Sequence, residues 1–501
     1  MSLYTGLAFF IVICSGFYLF CKKKYSYWKN KGVKGPTPLP IVGNFLKAFL
    51  QKEALYNSVQ DIYFSYTNEK LIGVYRGFEP AIIIRDPELI KNVLIKDSYL
   101  FQDRGVSTTT GALTDNLFAS NGEKWKIMRQ KLTPVFTSKK LKDMVPVIQQ
   151  CVQRFIEYVD HLVDNNIEHE LKALTSKYTL EVIGSCAFGL DLNTFTDEEN
   201  VFNHMATCIF TRNWITRAIV VLDMIIPGLI YQIETRKDIR DFFVNLVHKV
   251  IEDRKEKPSD RKDFMDLMIE MREEGKLTRK LEHGVSEIEI NDYMIACQAF
   301  VFYAAGFETS AATMSFLLYE LAINSDIQER TYKDICQAME KYNGEINYDS
   351  IKEMNYLEMV VSETLRKYTV VGVLFRKAMS SYTFPGTNVT IPKGMTVMIS
   401  ASGSTKNPEY FPNPQKFNPD NFLPENIQRR PPCVHLPFGE GPRNCIGMRF
   451  AKVQSMLGTA TFLKNFKVEP SAKTELELKF NPKTVVIQSI NGLWIKISRR
   501  K

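Results

Sequence analysis

Near the end of the chain stands Pro437-Phe438-Gly439-Glu440-Gly441-Pro442-Arg443-Asn444-Cys445-Ile446-Gly447, a segment equipped to present one reactive thiol. Its glycines let the backbone fold tightly and approach a flat ligand closely, and Arg443 sets a fixed cation two residues before Cys445. Residues 448 to 464 read as a helix, which places Cys445 just before an N-terminus whose dipole and free amides favour thiolate over thiol. A thiolate is a ligand for iron; a cysteine met alone among glycines is otherwise a buried structural thiol. A second chemical pairing is Glu308-Thr309, an acid beside an alcohol in the run Ala305-Gly306-Phe307-Glu308-Thr309-Ser310. By itself that threonine is as well explained by a bond back to its own helix. Glu363 and Arg366 share a helix face at i and i+3, the spacing of an ordinary ion pair.

Several elements must hold these groups. A long apolar helix, roughly Ile290 to Asn324, carries Glu308 and Thr309; a glycine in mid-helix costs about 1 kcal/mol against alanine, so Gly306 calls for a packing or functional reason. Leu71 to Arg76 and Ala81 to Arg85 flank Gly77-Phe78-Glu79-Pro80 and predict a hairpin. Later strands are expected at Thr390 to Ser400, and at Thr484 to Ile497 folded about Asn491-Gly492. The remainder is mostly helical, with a charged connection at 252 to 288. Residues 215 to 230 are apolar but too interrupted to span a membrane, and read either as core helix or as a stretch dipping into one.

The ends and the totals bound the rest. Ser2 to Cys21 lacks charge and, as a helix, reaches about 30 Å, the thickness of a hydrocarbon core. Lys22, Lys23, Lys24, Lys29, Lys31 and Lys34 follow it and none precede, so an uncleaved single-pass anchor is expected, with the C-terminal mass cytosolic. Pro36, Pro38 and Pro40 then make a stiff, extended connector. Nine cysteines show no C-x-x-C pair, which suits a reducing compartment, and six histidines show no zinc spacing. The 64 Lys+Arg against 56 Asp+Glu leave +8 on 501 residues, too dilute for a nucleic-acid footprint.

Phe438, Gly441, Arg443, Cys445 and Gly447 spell F-x-x-G-x-R-x-C-x-G, and the chain thereby resembles the cytochrome P450 family, whose haem-binding signature this is. The resemblance extends over nearly all of the chain after the anchor: Glu363 to Arg366 matches E-x-x-R, Trp125 to Arg129 matches W-x-x-x-R, and Ala305 to Ser310 matches the distal-helix motif. It implies a mainly α fold with small β-sheets, haem b lying between a long distal helix and the Cys loop. The division expected is an anchor at 1–21, a basic and Pro-rich linker at 22–40 and a haem domain at 41–501. Cys445 becomes the iron ligand; Trp125, Arg129, Arg104, Arg376 and Arg443 become contacts of the haem carboxylates, with Phe438 beside the ring. Glu308 and Thr309 become the proton-delivering pair, Gly306 the small residue leaving room for oxygen, and Glu363 with Arg366 a buried support of the Cys loop.

The activity implied is monooxygenation of apolar organic compounds, and the texture of Phe101-Gln102-Asp103-Arg104-Gly105 and of the Cys loop resembles insect microsomal members that oxidise plant toxins and insecticides. No G-x-G-x-x-G follows a predicted strand, so electrons must come from an NADPH-dependent reductase, with cytochrome b5 as a further partner and the endoplasmic reticulum membrane as the location. Lys124, Lys126, Arg129, Lys131, Lys139, Lys140, Lys142, Arg443, Arg449 and Lys452 make the candidate docking set. The chain departs from the family in two places. Asn421 stands where an arginine usually completes the Glu-Arg cluster, and Thr369-Val370 replaces a proline pair. Rival readings are an isomerase or dehydratase on the same fold, which turns over without NADPH, and a non-catalytic haem- or ligand-carrying membrane protein, which consumes none.

Overall fold

A computed structural model describes residues 3–105, 113–163, 168–196, 200–210, 236–257, 263–281 and 284–500; the apolar stretch 215 to 230 lies outside them. Helix α1, Leu3–Tyr25, is exposed along most of its length, and its stretch Tyr4–Tyr25 is long and apolar enough to cross a membrane. Lys22, Lys23 and Lys24 occupy its last turn, where cations complement the helix dipole. The helix runs past position 21, because Tyr25 is itself an attachment point: its ring packs on Tyr75 at 5.1 Å and on Phe78 at 5.9 Å. The basic linker is likewise docked from Trp28 onward, the indole being buried with Nε1 donating to the Val74 carbonyl at 3.0 Å. Gly73 makes room for it, since a Cβ there would lie 2.4 Å from Trp28 Cγ.

That attachment is to a four-stranded sheet. Strands β1, Leu71–Arg76, and β2, Glu79–Ile84, form the expected hairpin, with Leu71 opposite Ile84. Strand β3, Val373–Lys377, and strand β4, Thr396–Ser400, complete the order β1-β2-β4-β3, β2 and β4 being parallel. The second sheet corrects the expected hairpin at 484–497. Strand β5, Phe466–Pro470, pairs with β6, Trp494–Arg499, and β6 pairs with the two-residue strand His169–Glu170. Gly492 does take the positive φ of a turn, +80°, but residues 484 to 490 form no strand beside β6. Burial decides the matter: Ile495 and Ile497 of β6 go into the core beside Phe466 and Val468 of β5, so the distant partner offers more buried surface than the local turn.

The helical body gathers around one element. Helices α2, Gly122–Leu132, and α3, Ser138–Val163, precede α4, Leu171–Ile183, which packs along the central α5, Asp292–Ile323. Helix α3 buries Leu141, Val145, Ile148, Val152, Phe155 and Val159, the 3–4 spacing of a single apolar face. Helix α5 starts where the Asn291 side chain accepts from the Met294 amide at 2.9 Å, and from there on it is buried over most of its surface. Helices α6, Asn355–Lys367, and α7, Met448–Asn465, pack against it.

The α4–α5 contact corrects the role expected of Gly306. A Cβ at that position would sit 2.4 Å from Ile183 Cδ1 and 2.5 Å from its Cγ1, so the glycine is there for helix packing. The close approach lets Thr179 Oγ1 donate to the Phe307 carbonyl at 3.1 Å and Thr175 Oγ1 to the Ala311 carbonyl at 3.0 Å. Overpacking costs roughly 1–3 kcal/mol and better helix propensity returns about 1, so Gly306→Ala is expected to lower stability by about 1–2 kcal/mol in urea unfolding. A variant as stable as wild type would show that Ile183 simply moves aside.

Candidate active site

The Cys loop is shaped by its glycines. Gly439 and Gly441 have φ of +69° and +74°, and a Cβ on Gly441 would lie 1.8 Å from the Leu94 carbonyl oxygen, so no other residue fits there. Gly441–Arg443 forms a short 3-10 turn, and the Cys445 amide closes the loop by donating to the Phe438 carbonyl at 2.8 Å. Helix α7 begins three residues beyond Cys445, as expected. Cys445 is enclosed by protein atoms, yet its side chain is exposed, which means that it faces an interior space rather than packed side chains. Burial pushes its thiol up, while the Gly447 backbone and the guanidiniums of Arg129 and Arg104 pull it down. The expected stabilisation of the thiolate is therefore present but outweighed by desolvation in the protein alone.

Four arginines converge on this loop. Arg129 donates to the Asn444 carbonyl at 2.8 Å and to its side-chain Oδ1 at 2.7 Å. Arg104 donates to the Arg443 carbonyl at 3.0 Å and to the Phe118 carbonyl at 2.8 Å, and its guanidinium lies over the Phe118 ring. Arg443, buried, donates to the carbonyls of Gln102 and Ser120, each at 2.6 Å, and stacks 4.0 Å from the Trp125 ring centre. Arg376 is buried on β3 and donates to the adjacent Phe375 carbonyl at 2.8 Å. Desolvation, then mutual repulsion, lowers Arg376 and Arg443 to about 9; burial likewise lowers Arg104 to about 10, against the pull of Cys445. Asp103, 3.9 Å from Arg443, is the carboxylate that approaches them.

Buried cations held by neutral carbonyls and pushed toward deprotonation are short of negative charge, which is what a ligand carrying carboxylates would supply. A thiol open to the interior beside them is what an iron-bearing ring would take. The donor set therefore fits haem. Phe438 contributes its carbonyl and a partly buried ring, and Trp125 is a buried platform for Arg443.

On α5 the structure separates the expected acid and alcohol. Glu308 is buried and paired with Lys172 of α4, a partner that no motif announced. Thr309 Oγ1 donates to the Ala305 carbonyl at 2.7 Å, the bond back to its own helix. Ala305 is exposed although its helix is otherwise largely buried, so it is the small residue turned to the open interior, a role expected of Gly306. Glu363 and Arg366 are both fully buried and joined at 2.7 Å, and Asn421 does reach Glu363, at 3.2 and 3.3 Å. A surface cleft of about 710 Å³ beside Arg272, Asp292 and Tyr293 shares no residue with this site.

A thiol so presented, with cations ready for carboxylates, is a donor set that fits a haem-thiolate protein. The sequence model of the family described as Cytochrome P450 matches residues 33–495, and the chain belongs to that family. It is 39% identical over 488 residues to cytochrome P450 6B7 of Helicoverpa armigera, covering 97% of this chain and 96% of that one. It is 40% identical over 502 residues to cytochrome P450 6B1 of Papilio polyxenes, covering 99% of each, and 38% identical over 488 residues to cytochrome P450 6a2 of Drosophila melanogaster, covering 95% and 96%. The chain is thus a haem monooxygenase of the insect type, acting on small molecules with electrons from NADPH through a reductase.

Proposed function

We propose that Cys445 is the axial iron ligand, that Arg104, Arg129, Arg376 and Arg443 hold the haem carboxylates with Trp125 backing Arg443, and that the substrates are apolar plant toxins or insecticides. The observation that carries this reading is the buried guanidinium cluster around an open thiol. When bound, haem supplies oxygen activation, its thiolate pushing electron density toward O–O cleavage as is known for this class. The chain's own residues do the rest. The Cys loop fixes the sulfur through the Cys445–Phe438 bond, and Arg129 braces Asn444 beside it. Ala305 leaves space on α5, and Thr309 can exchange its bond to the Ala305 carbonyl for one to substrate or water. Glu308 holds a proton acceptor behind that face; leaving Lys172 would let it pass protons inward. Phe118 and Val371, large apolar residues that are exposed, are suited to greasy substrates.

The same proposal places α1 in the endoplasmic reticulum membrane as a single anchor, and the reductase, with cytochrome b5, on the surface near the Cys loop. Of the candidate docking residues, Arg129 and Arg443 turn inward, and Lys124, Lys126, Lys131, Lys142 and Lys452 are neutralised by Asp115, Glu123, Glu274, Asp349 and Glu358. Lys139 and Arg449 remain as exposed cations, Arg449 reaching Ser138 at 3.3 Å. Reconstitution with reductase, NADPH and a panel of apolar toxins tests the function. Product carrying one oxygen from O₂ is the expected result. Turnover without NADPH would mark an isomerase or dehydratase, and ligand binding with no NADPH consumed would mark a carrier.

A further inference from the structure

Behind the Cys loop the Glu363–Arg366 pair is saturated with hydrogen bonds. Arg366 gives Nε and one Nη2 proton to Glu363 at 2.7 Å each, and its other donors to the carbonyls of Thr405, Pro414 and Lys416 at 3.1, 2.9 and 3.2 Å. Glu363 also accepts from the Asn418 amide at 2.8 Å and from Asn421. A second guanidinium stands next to this pair. Arg430 lies 4.5 Å from the Phe411 ring centre and 4.9 Å from that of Phe422, and Phe411 is the same ring that Arg366 approaches at 5.5 Å. Its Nη2 donates to the backbone carbonyl of Asn421 at 2.6 Å and its Nε to that of Asn426 at 3.1 Å, while its Nη1 is buried with no hydrogen-bond partner among the described residues. Glu363 attracts this guanidinium, against burial and the repulsion of Arg366.

Arg430 opens the segment that runs to Cys445. His435 lies on that segment, its ring 4.8 Å from Phe422 and 6.4 Å from Phe411. Phe411 thus touches Arg366, Arg430 and His435, and Phe422 touches the last two, so these rings link the ion pair to the segment that carries the thiol. We propose that Arg430 is a positioning residue, fastening the segment 430–445 onto the Glu363–Arg366 pair and supplying from nine residues downstream the second guanidinium that position 421 lacks. It acts on the thiol only through the backbone it holds. The consequence for the reaction rests on Cys445 being the iron ligand; the fastening itself does not.

The test compares full-length wild type with Arg430→Ala, Arg430→Lys and the double variant Arg430→Ala/Asn421→Arg. Two readouts are used: amide hydrogen exchange of residues 431–445 relative to α7, and the share of protein whose reduced carbon monoxide adduct shows the red-shifted Soret band. Losing two charge-assisted bonds and the ring contacts should speed exchange of that segment about tenfold in Arg430→Ala and shrink the red-shifted share. Lysine, which keeps the charge without the fork, should fall between, and the double variant should restore both readouts. Unchanged exchange in Arg430→Ala overturns the proposal, as does a double variant that recovers neither readout. Should Arg430→Ala fail to fold, a folded double variant supports the proposal and an unfolded one overturns it. If wild type itself lacks the red-shifted band, the ligand assignment falls while the exchange data still decide the role of Arg430.

Discussion

Arg366→Met should cost about 3–5 kcal/mol of stability, because it leaves the Glu363 carboxylate fully buried with its main partner gone. The loss reaches beyond one ion pair: Arg366 also ties down the carbonyls of Thr405, Pro414 and Lys416, so three backbone acceptors lose their donor together. The haem site should suffer with the fold, and purified variant protein should retain little haem. Glu363→Met/Arg366→Met should recover part of the stability, since an apolar pair leaves no stranded charge, yet those three carbonyls still lack their donor. Urea unfolding of the variants measures both effects. A single variant within about 1 kcal/mol of wild type would show that water reaches Glu363.

Cys445→Ala has the opposite profile. Its side chain is exposed, and closure of the loop runs through the Cys445 amide and the Phe438 carbonyl, which the substitution leaves in place. Stability of the protein without haem should therefore stay within about 1 kcal/mol of wild type. NADPH-dependent product formation should nevertheless fall to background, since no other thiol stands on this loop. Cys445→Ser should behave alike: a hydroxyl matches the thiol in shape and does not ionise to replace a thiolate. Activity surviving in either variant would assign the chemistry to another group.

The two outcomes differ because Arg366 is a fully buried ion-pair partner and Cys445 is exposed. The Cys loop was legible: its glycines, arginine and thiol lie within eleven residues, and the backbone that they dictate, with φ of +69° and +74°, is local. The E-x-x-R pairing was legible from its spacing, whereas its burial came only through the family resemblance. Convergence of Arg104, Arg129, Arg376 and Arg443 came only through the family resemblance, for no pattern in the chain joins residues hundreds of positions apart. Lys172 and Arg430 were missed, as each meets its partner through tertiary packing and lies in no motif. The Asn491-Gly492 signal misled because turn chemistry describes four residues, whereas β6 was decided by the apolar strand β5. The family resemblance assigns Gly306 to the oxygen pocket, whereas the side chain that requires it, Ile183, belongs to α4. Asn421 keeps a bond to Glu363 although it is not an arginine, which explains how the departure is tolerated.

The central claim is that Cys445 ligates haem iron as a thiolate, and the absorption spectrum of the reduced carbon monoxide adduct tests it most directly. Wild type should show the red-shifted Soret band of thiolate ligation, and Cys445→Ala, loaded with haem under the same conditions, should not. A band of equal position and size in the alanine variant, or its absence from wild type that binds haem fully, would contradict the account.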